Sequence, residues 1–147
     1  MIKHNLKLVR QSLEKAGSGL DNGARAARDE MAMVLTQLAK EEIKGKRGKL
    51  PNGQWEKATS GQPPMNRTGN LRRSIRAEKR KEVFAKYSAI VGPTIVYGRA
   101  VELGGSFAPK SWIGTSAMKG FPYMAPAYKK FRVITPRLIN KHFGKIL

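Results

Sequence analysis

The stretch Arg67-Thr68-Gly69-Asn70-Leu71-Arg72-Arg73-Ser74-Ile75 divides the chain: apolar residues before it follow helical spacing, and those after it fall in strand-like runs. Gly69 can adopt a positive φ, and Gly61, Pro63 and Pro64 just upstream interrupt regular structure, so a turn ends here and a new element begins. Leu71 and Ile75 are four residues apart, which suits one helical turn entering the core with Arg72, Arg73 and Arg76 left outside. Such a turn either presents cations to a partner or is an ordinary junction between elements.

Toward the N-terminus, Leu6, Val9 and Leu13 define a short amphipathic helix ending before Gly17, Ser18 and Gly19, an arm over residues 1–19. Asp21 or Asn22 offers an N-cap. Ala24, Ala27, Met31, Val34, Leu35, Leu38 and Ile43 then form a single stripe down a long helix over residues 20–44. Asp29, Glu30, Glu41 and Glu42 beside Arg25, Arg28, Lys40 and Lys44 predict a mixed, solvated outer face. Residues 45–66 read as a long loop carrying Trp55 and opening with the cations Lys46, Arg47 and Lys49.

Beyond the turn, the period-two pattern from Ser74 to Arg80 predicts a polar edge strand, and Val83 to Val91 a second strand stopped by Gly92 and Pro93. A hairpin through Arg80, Lys81 and Glu82 joins them. Ile95 to Leu103 is apolar at both helical and strand spacings, so periodicity leaves it open. Glu102, a lone carboxylate there, either pairs with an arginine of the turn or caps backbone amides. A loop with Trp112 follows, completing a sheet region over residues 67–127. Pro126 starts a helix with Tyr128, Phe131 and Val133, and Thr135-Pro136 starts a last one with Leu138, Ile139, Phe143 and Ile146, a helical segment over 128–147. No Asp or Glu follows Glu102, so the C-terminal third is basic.

At 147 residues the chain is expected to be a single domain, 1–147, with arms. Its 29 Lys and Arg against 10 Asp and Glu, a formal charge of +19, call for an anionic partner: nucleic acid, an acidic protein ring or a membrane face. Without cysteine there are no disulfides, thiolate metal sites or thiol catalysis. No signal-type apolar segment or membrane-length apolar run occurs, so a soluble protein made in a cytoplasm is expected. His4 and His142 lie at opposite ends, and no metalloprotease, nucleophile-elbow or phosphate-loop motif is present. The expectation is no catalytic, cofactor or metal residues, and no enzyme.

Three spaced segments carry a resemblance. Pro64 to Ile75 resembles Pro-x-x-Thr-Gly-x-Leu-x-x-Ser-Ile, through Thr68, Gly69, Leu71, Ser74 and Ile75. Tyr97 to Gly104 resembles Tyr-Ala-x-x-Val-Glu-Phe-Gly, through Tyr97, Val101, Glu102 and Gly104, and Phe121 to Ala127 resembles Pro-Phe-Met-x-Pro-Ala, through Met124, Pro126 and Ala127. In this order they are similar to the head-to-tail joining (neck or tail-completion) family of tailed bacteriophages, typified by gene product ten of a lambdoid coliphage. Gly98 stands where the family favours Ala, Leu103 where it favours Phe, and Tyr123 where it favours Phe.

The resemblance implies an α+β fold: a long N-terminal helix packed on a small antiparallel sheet, with a C-terminal helix and extended loops. It implies a virion protein, made in the host cytoplasm, that forms a homo-oligomeric ring at the head-tail junction. Head-completion or connector proteins and tail-terminator or tail-tube proteins would be its neighbours, with genome DNA in the lumen and no membrane. Leu71, Ile75, Val101 and Leu103 are expected in the core. Arg67, Arg72, Arg73, Arg76, Arg80, Lys81, Lys46 and Arg47 are the candidates for contact with DNA or a partner. The rival reading is a free basic nucleic-acid-binding protein that forms no ring.

Overall fold

A computed structural model describes residues 2–43, 51–52, 61, 63–64, 68–79, 87–104 and 120–144. The elements run α1 (Ile2–Glu42), α2 (Asn70–Ser74), β1 (Ile75–Lys79), β2 (Ala89–Pro93), α3 (Gly98–Leu103) and α4 (Met124–Phe143). The fold is α+β, with a long N-terminal helix, a two-stranded antiparallel sheet and a C-terminal helix. Arg67, Arg80, Lys81, Lys46, Arg47, Trp55 and Trp112 lie outside the described residues.

The expected break at Gly17 to Gly19 is absent. α1 is one helix of 41 residues, about 60 Å long at 1.5 Å per residue. Each interior glycine costs up to about 1 kcal/mol of helix propensity. That is too little to stop a helix already nucleated over the long apolar stripe downstream, where Ala27, Ala39 and Ile43 are buried.

α4 runs antiparallel to α1. Lys130 bonds to Glu42, while Lys141 and His142 bond to Glu30. Stepping forward along α4 from the first pair to the second therefore means stepping back by a similar length along α1. The second helix start expected at Thr135-Pro136 does not occur, because Pro136 lies inside α4. Interior proline costs about 3 kcal/mol or more through its missing N–H and a clash with the preceding turn. Here the ion pairs to α1 on either side of it hold the helix together, and Pro136 is exposed, so the orphaned Arg132 carbonyl can turn to water. Thr135 does not cap; its Oγ1 donates to the Phe131 carbonyl at 2.9 Å.

The strands pair with Ile75 opposite Pro93, Ala77 opposite Val91 and Lys79 opposite Ala89. Gly92 and Pro93, expected to end the second strand, are its last two residues. Proline fits there because it is the terminal position. The next amide, Thr94 N–H, resumes bonding by donating to the Ser74 carbonyl at 3.0 Å.

The core joins α1, β1 and α4 through Ala39, Ile43, Ile75, Tyr123 and Ala127, with Leu35, Leu38, Leu71, Val91, Val101 and Met124 packed around it. Leu103, expected inside, is 52% exposed. Strand spacing would have put it on the same side as Val101. The segment is helical, and two helical residues turn through about 200°.

The Gly98 and Tyr123 departures from the family pattern touch each other. The buried Tyr123 hydroxyl donates to the Gly98 carbonyl at 3.2 Å. A Cβ on Gly98 would come within 2.5 Å of the Pro93 ring and 3.5 Å of that hydroxyl. Burial, followed by the Glu102 carboxylate and Tyr97, pushes the Tyr123 hydroxyl well above its ordinary pKa, so it remains a donor. Gly98→Ala is expected to cost about 1–3 kcal/mol by overpacking, read as a lowered Tm. The loss should shrink in a Pro93→Gly background; an equal loss in both backgrounds would show that Pro93 is not the obstacle.

Candidate assembly interface

Gly69 has φ +76° and precedes α2, where a side chain with a Cβ would be strained. The Arg73 N–H donates to the Gly69 carbonyl at 2.9 Å, and its guanidinium donates to the Thr68 carbonyl at 3.0 Å and Asn70 Oδ1 at 2.7 Å. Ser74, buried, donates through Oγ to the Leu71 carbonyl at 2.7 Å. Leu71 and Ile75 then enter the core. The turn is a self-bonded unit that sets the direction of β1.

Of the candidate contact residues, Arg72, Arg73 and Arg76 are described, and all three are exposed. Their roles differ. Arg73 ties its own turn together. Arg76 lies on β1 beside an open apolar groove formed with Met33, Val34, Lys40 and Ala77.

Glu102 takes the second of its two expected roles. Its Oε2 accepts from the N–H groups of Tyr123 at 2.7 Å and Met124 at 2.9 Å, and its Oε1 from Ala125 at 3.0 Å. These are the unpaired donors at the start of α4, and the next residue, Pro126, has no N–H to satisfy. A carboxylate suits the site twice, as an acceptor and as a negative charge at the positive end of the helix dipole. Gly104, with φ +62° and ψ −154°, closes α3 two residues after Glu102 in a region open only to glycine.

Of the acids expected on a solvated face of α1, Glu41 is exposed, but Asp29, Glu30 and Glu42 reach other elements. Asp29 accepts from Lys79 of β1 at 2.7 Å as well as from Arg28. Glu30 accepts from Lys141 at 2.7 Å and lies 2.6 Å from His142 Nε2. Glu42, buried, accepts from Lys130, and Asp21 accepts from Tyr87 and Arg25. Most of these partners lie on other elements. Their sequence signal is the lack of any acid after Glu102: the cations of α4 had to find their carboxylates elsewhere in the fold. Among the described residues no three His, Asp or Glu side chains gather as a metal ion requires.

Residues 8–104 match the family described as "Bacteriophage HK97-gp10, putative tail-component". The chain belongs to this family. Comparison with curated proteins and with solved structures gives no match. The matched span takes in α1 from residue 8 onward, the Thr68–Ile75 turn, both strands and α3 up to Gly104, and so includes Glu102. Among the described residues no helix is long and apolar enough to cross a membrane.

Two outcomes are expected. Glu102→Ala strands three donors at a half-buried helix end and should cost about 1–3 kcal/mol, which at this size lowers Tm by roughly 2–4 °C per kcal/mol. Glu102→Gln keeps one acceptor oxygen and should fall between; an unchanged Tm for both would remove the cap from the fold's supports. The second concerns pH. The Lys141 hydrogen bond, then that of His142, lowers the Glu30 carboxyl below its ordinary 4.5, and the Lys79 hydrogen bond, foremost, lowers Asp29 below 3.8. A depressed carboxyl contributes stability above its ordinary pKa and loses it as pH falls through its folded value. Tm of the wild type should therefore decline below those values, and the gap to Glu30→Gln should close there. A gap that persists in acid would mean that charge is not what joins these helices.

Proposed function

We propose that the protein is a non-enzymatic structural component of the virion that assembles as a homo-oligomeric ring at the head-tail junction. Connector or head-completion proteins would lie on one side, tail-terminator or tail-tube proteins on the other, and genome DNA would pass through the lumen. Family membership supports this reading most, and the division of charge gives it a physical basis. Asp29, Glu30 and Glu42 of α1 are bonded to other elements of the fold, whereas Arg72, Arg76, Lys129, Arg132 and Arg137 are exposed. A surface so depleted of carboxylates suits neighbours or a polymer that are themselves anionic.

The same exposed cations support the second reading, a nucleic-acid-binding protein acting without a ring. That reading requires tight, steeply salt-dependent DNA binding by the isolated monomer. A ring component has no such requirement.

The first experiment is electron microscopy of lysates in which the gene carries a nonsense mutation. DNA-filled or leaking heads beside complete, separate tails are expected, and joined particles of normal appearance would overturn the junction reading. Complementation with Arg72→Glu/Arg76→Glu should yield fewer joined particles than the wild-type gene. Arg73 is left intact in this test because it holds its own turn.

A further inference from the structure

The apolar side of α1 continues beyond its cover. Ala24, Ala27, Met31, Val34 and Leu38 lie along that side and are buried or half-buried. Toward the N-terminus the same side carries Leu20, Ala16, Leu13 and Val9, and there Leu20 is 45%, Leu13 68% and Val9 55% exposed. α4 ends near Glu30, where Lys141 and His142 bond, and the bond from Tyr87 reaches only to Asp21. From Val9 to Leu20, the side chains bond only within α1 itself.

The spacing of this uncovered seam identifies the shape of what would cover it. In sequence, Ile2, Leu6, Val9, Leu13, Ala16 and Leu20 are separated by alternating steps of four and three. That alternation is the knobs-into-holes repeat of a helix packed along another helix. The seam is narrow and residues 2–20 contain no aromatic side chain, whereas a helix lying in a lipid surface presents a broad apolar face with Trp or Phe.

We infer that residues 2–20 of α1 dock seam to seam with a helix of another protein, one whose own three-four apolar repeat is flanked by carboxylates. With Leu6, Leu13 and Leu20 at the first seam position of each heptad, the flanking positions are Lys3, Arg10 and Gly17 on one side and Asn5, Ser12 and Gly19 on the other. None is acidic, so a second copy in this pairing brings no carboxylate to meet the cations. Elsewhere in the described residues, Asp21, Asp29, Glu30, Glu42 and Glu102 are already bonded within the chain, and the exposed Glu41 and Glu78 lie away from this seam, at the far end of α1 and on β1. Arg10 is held only by an exposed pair to Glu14 on its own helix, a weak contact that is readily exchanged. The inference goes beyond the junction reading and needs from it only that the partner belong to the same particle.

The test uses the purified full chain and two three-heptad probe peptides with identical Leu/Ile seams, one flanked by Glu and the other by Lys. Fluorescence anisotropy should show the Glu peptide binding, with affinity falling as salt rises, and the Lys peptide binding about tenfold or more weaker. Leu13→Asp should weaken Glu-peptide binding by about tenfold or more while leaving Tm unchanged, since Leu13 lies outside the folded body. Arg10→Glu should narrow or reverse the preference between peptides. Equal binding of both peptides, or of neither, would overturn the inference. So would a Leu13→Asp variant whose only effect is to lower the mass of the chain alone in sedimentation, which would assign the seam to a second copy. Loss of binding to phosphatidylglycerol vesicles with peptide binding intact would assign it to lipid and also overturn the inference. The junction reading is decided in particles and this one in solution, so either can fail while the other stands.

Discussion

Three backbone N–H groups at the start of α4 converge on the carboxylate of Glu102, a side chain from α3. A helix of 20 residues begins only where its first donors are satisfied, and here a residue more than twenty positions upstream satisfies them. The cap therefore fixes where α4 starts relative to α3 and brings Tyr123 and Ala127 into the core. It also sets the register in which Lys130, Lys141 and His142 meet Glu42 and Glu30. Gly98, Tyr123 and Pro93 pack immediately beside it, so this small cluster joins the sheet, α3 and α4.

The large positive charge takes its meaning from the same arrangement. A helix that bears most of the acids would ordinarily show them to water, balanced by cations one turn away. α1 instead uses Asp29, Glu30 and Glu42 to hold β1 and α4. Internal stability and external charge are thereby coupled: carboxylates that join elements are withdrawn from the outer surface. A phage tail component works among neighbouring proteins, and a surface with few free acids suits neighbours that are anionic where they touch it.

Much of the fold was legible because its signals are local. Leu71 and Ile75 at helical spacing, Gly69 before them and Pro126 near the start of α4 each obey a rule confined to a few residues, as do the paired strands either side of residues 80–88. The errors arose where distant contacts outweighed local preference. Gly17 and Gly19 did not break α1, and Pro136 did not break α4, because each helix is held by packing or ion pairs on residues well away from the offending position. Leu103 was misplaced because an apolar run open to both periods does not say which of its residues share a face with Val101. Glu102 illustrates the limit for the site: its two possible roles were visible in sequence, but only the positions of Tyr123, Met124 and Ala125 chose between them. The contact surface itself was the least legible part, since exposed arginines obey no spacing rule that packing imposes.

The uncovered reach of α1 also bears on how the chain meets a neighbour. A free peptide of that length would have to nucleate its first turn, an event disfavoured by about a thousandfold. Residues 9–20 escape that barrier because they extend a helix already seeded by the packed half. Each further residue need only propagate, at close to zero net free energy for good helix formers and unfavourably at the two glycines. The segment therefore behaves as a zipper with one end fixed: its helical length can shorten or lengthen turn by turn at little cost, and contact with a neighbour would set that length by closing the zipper outward from Leu20.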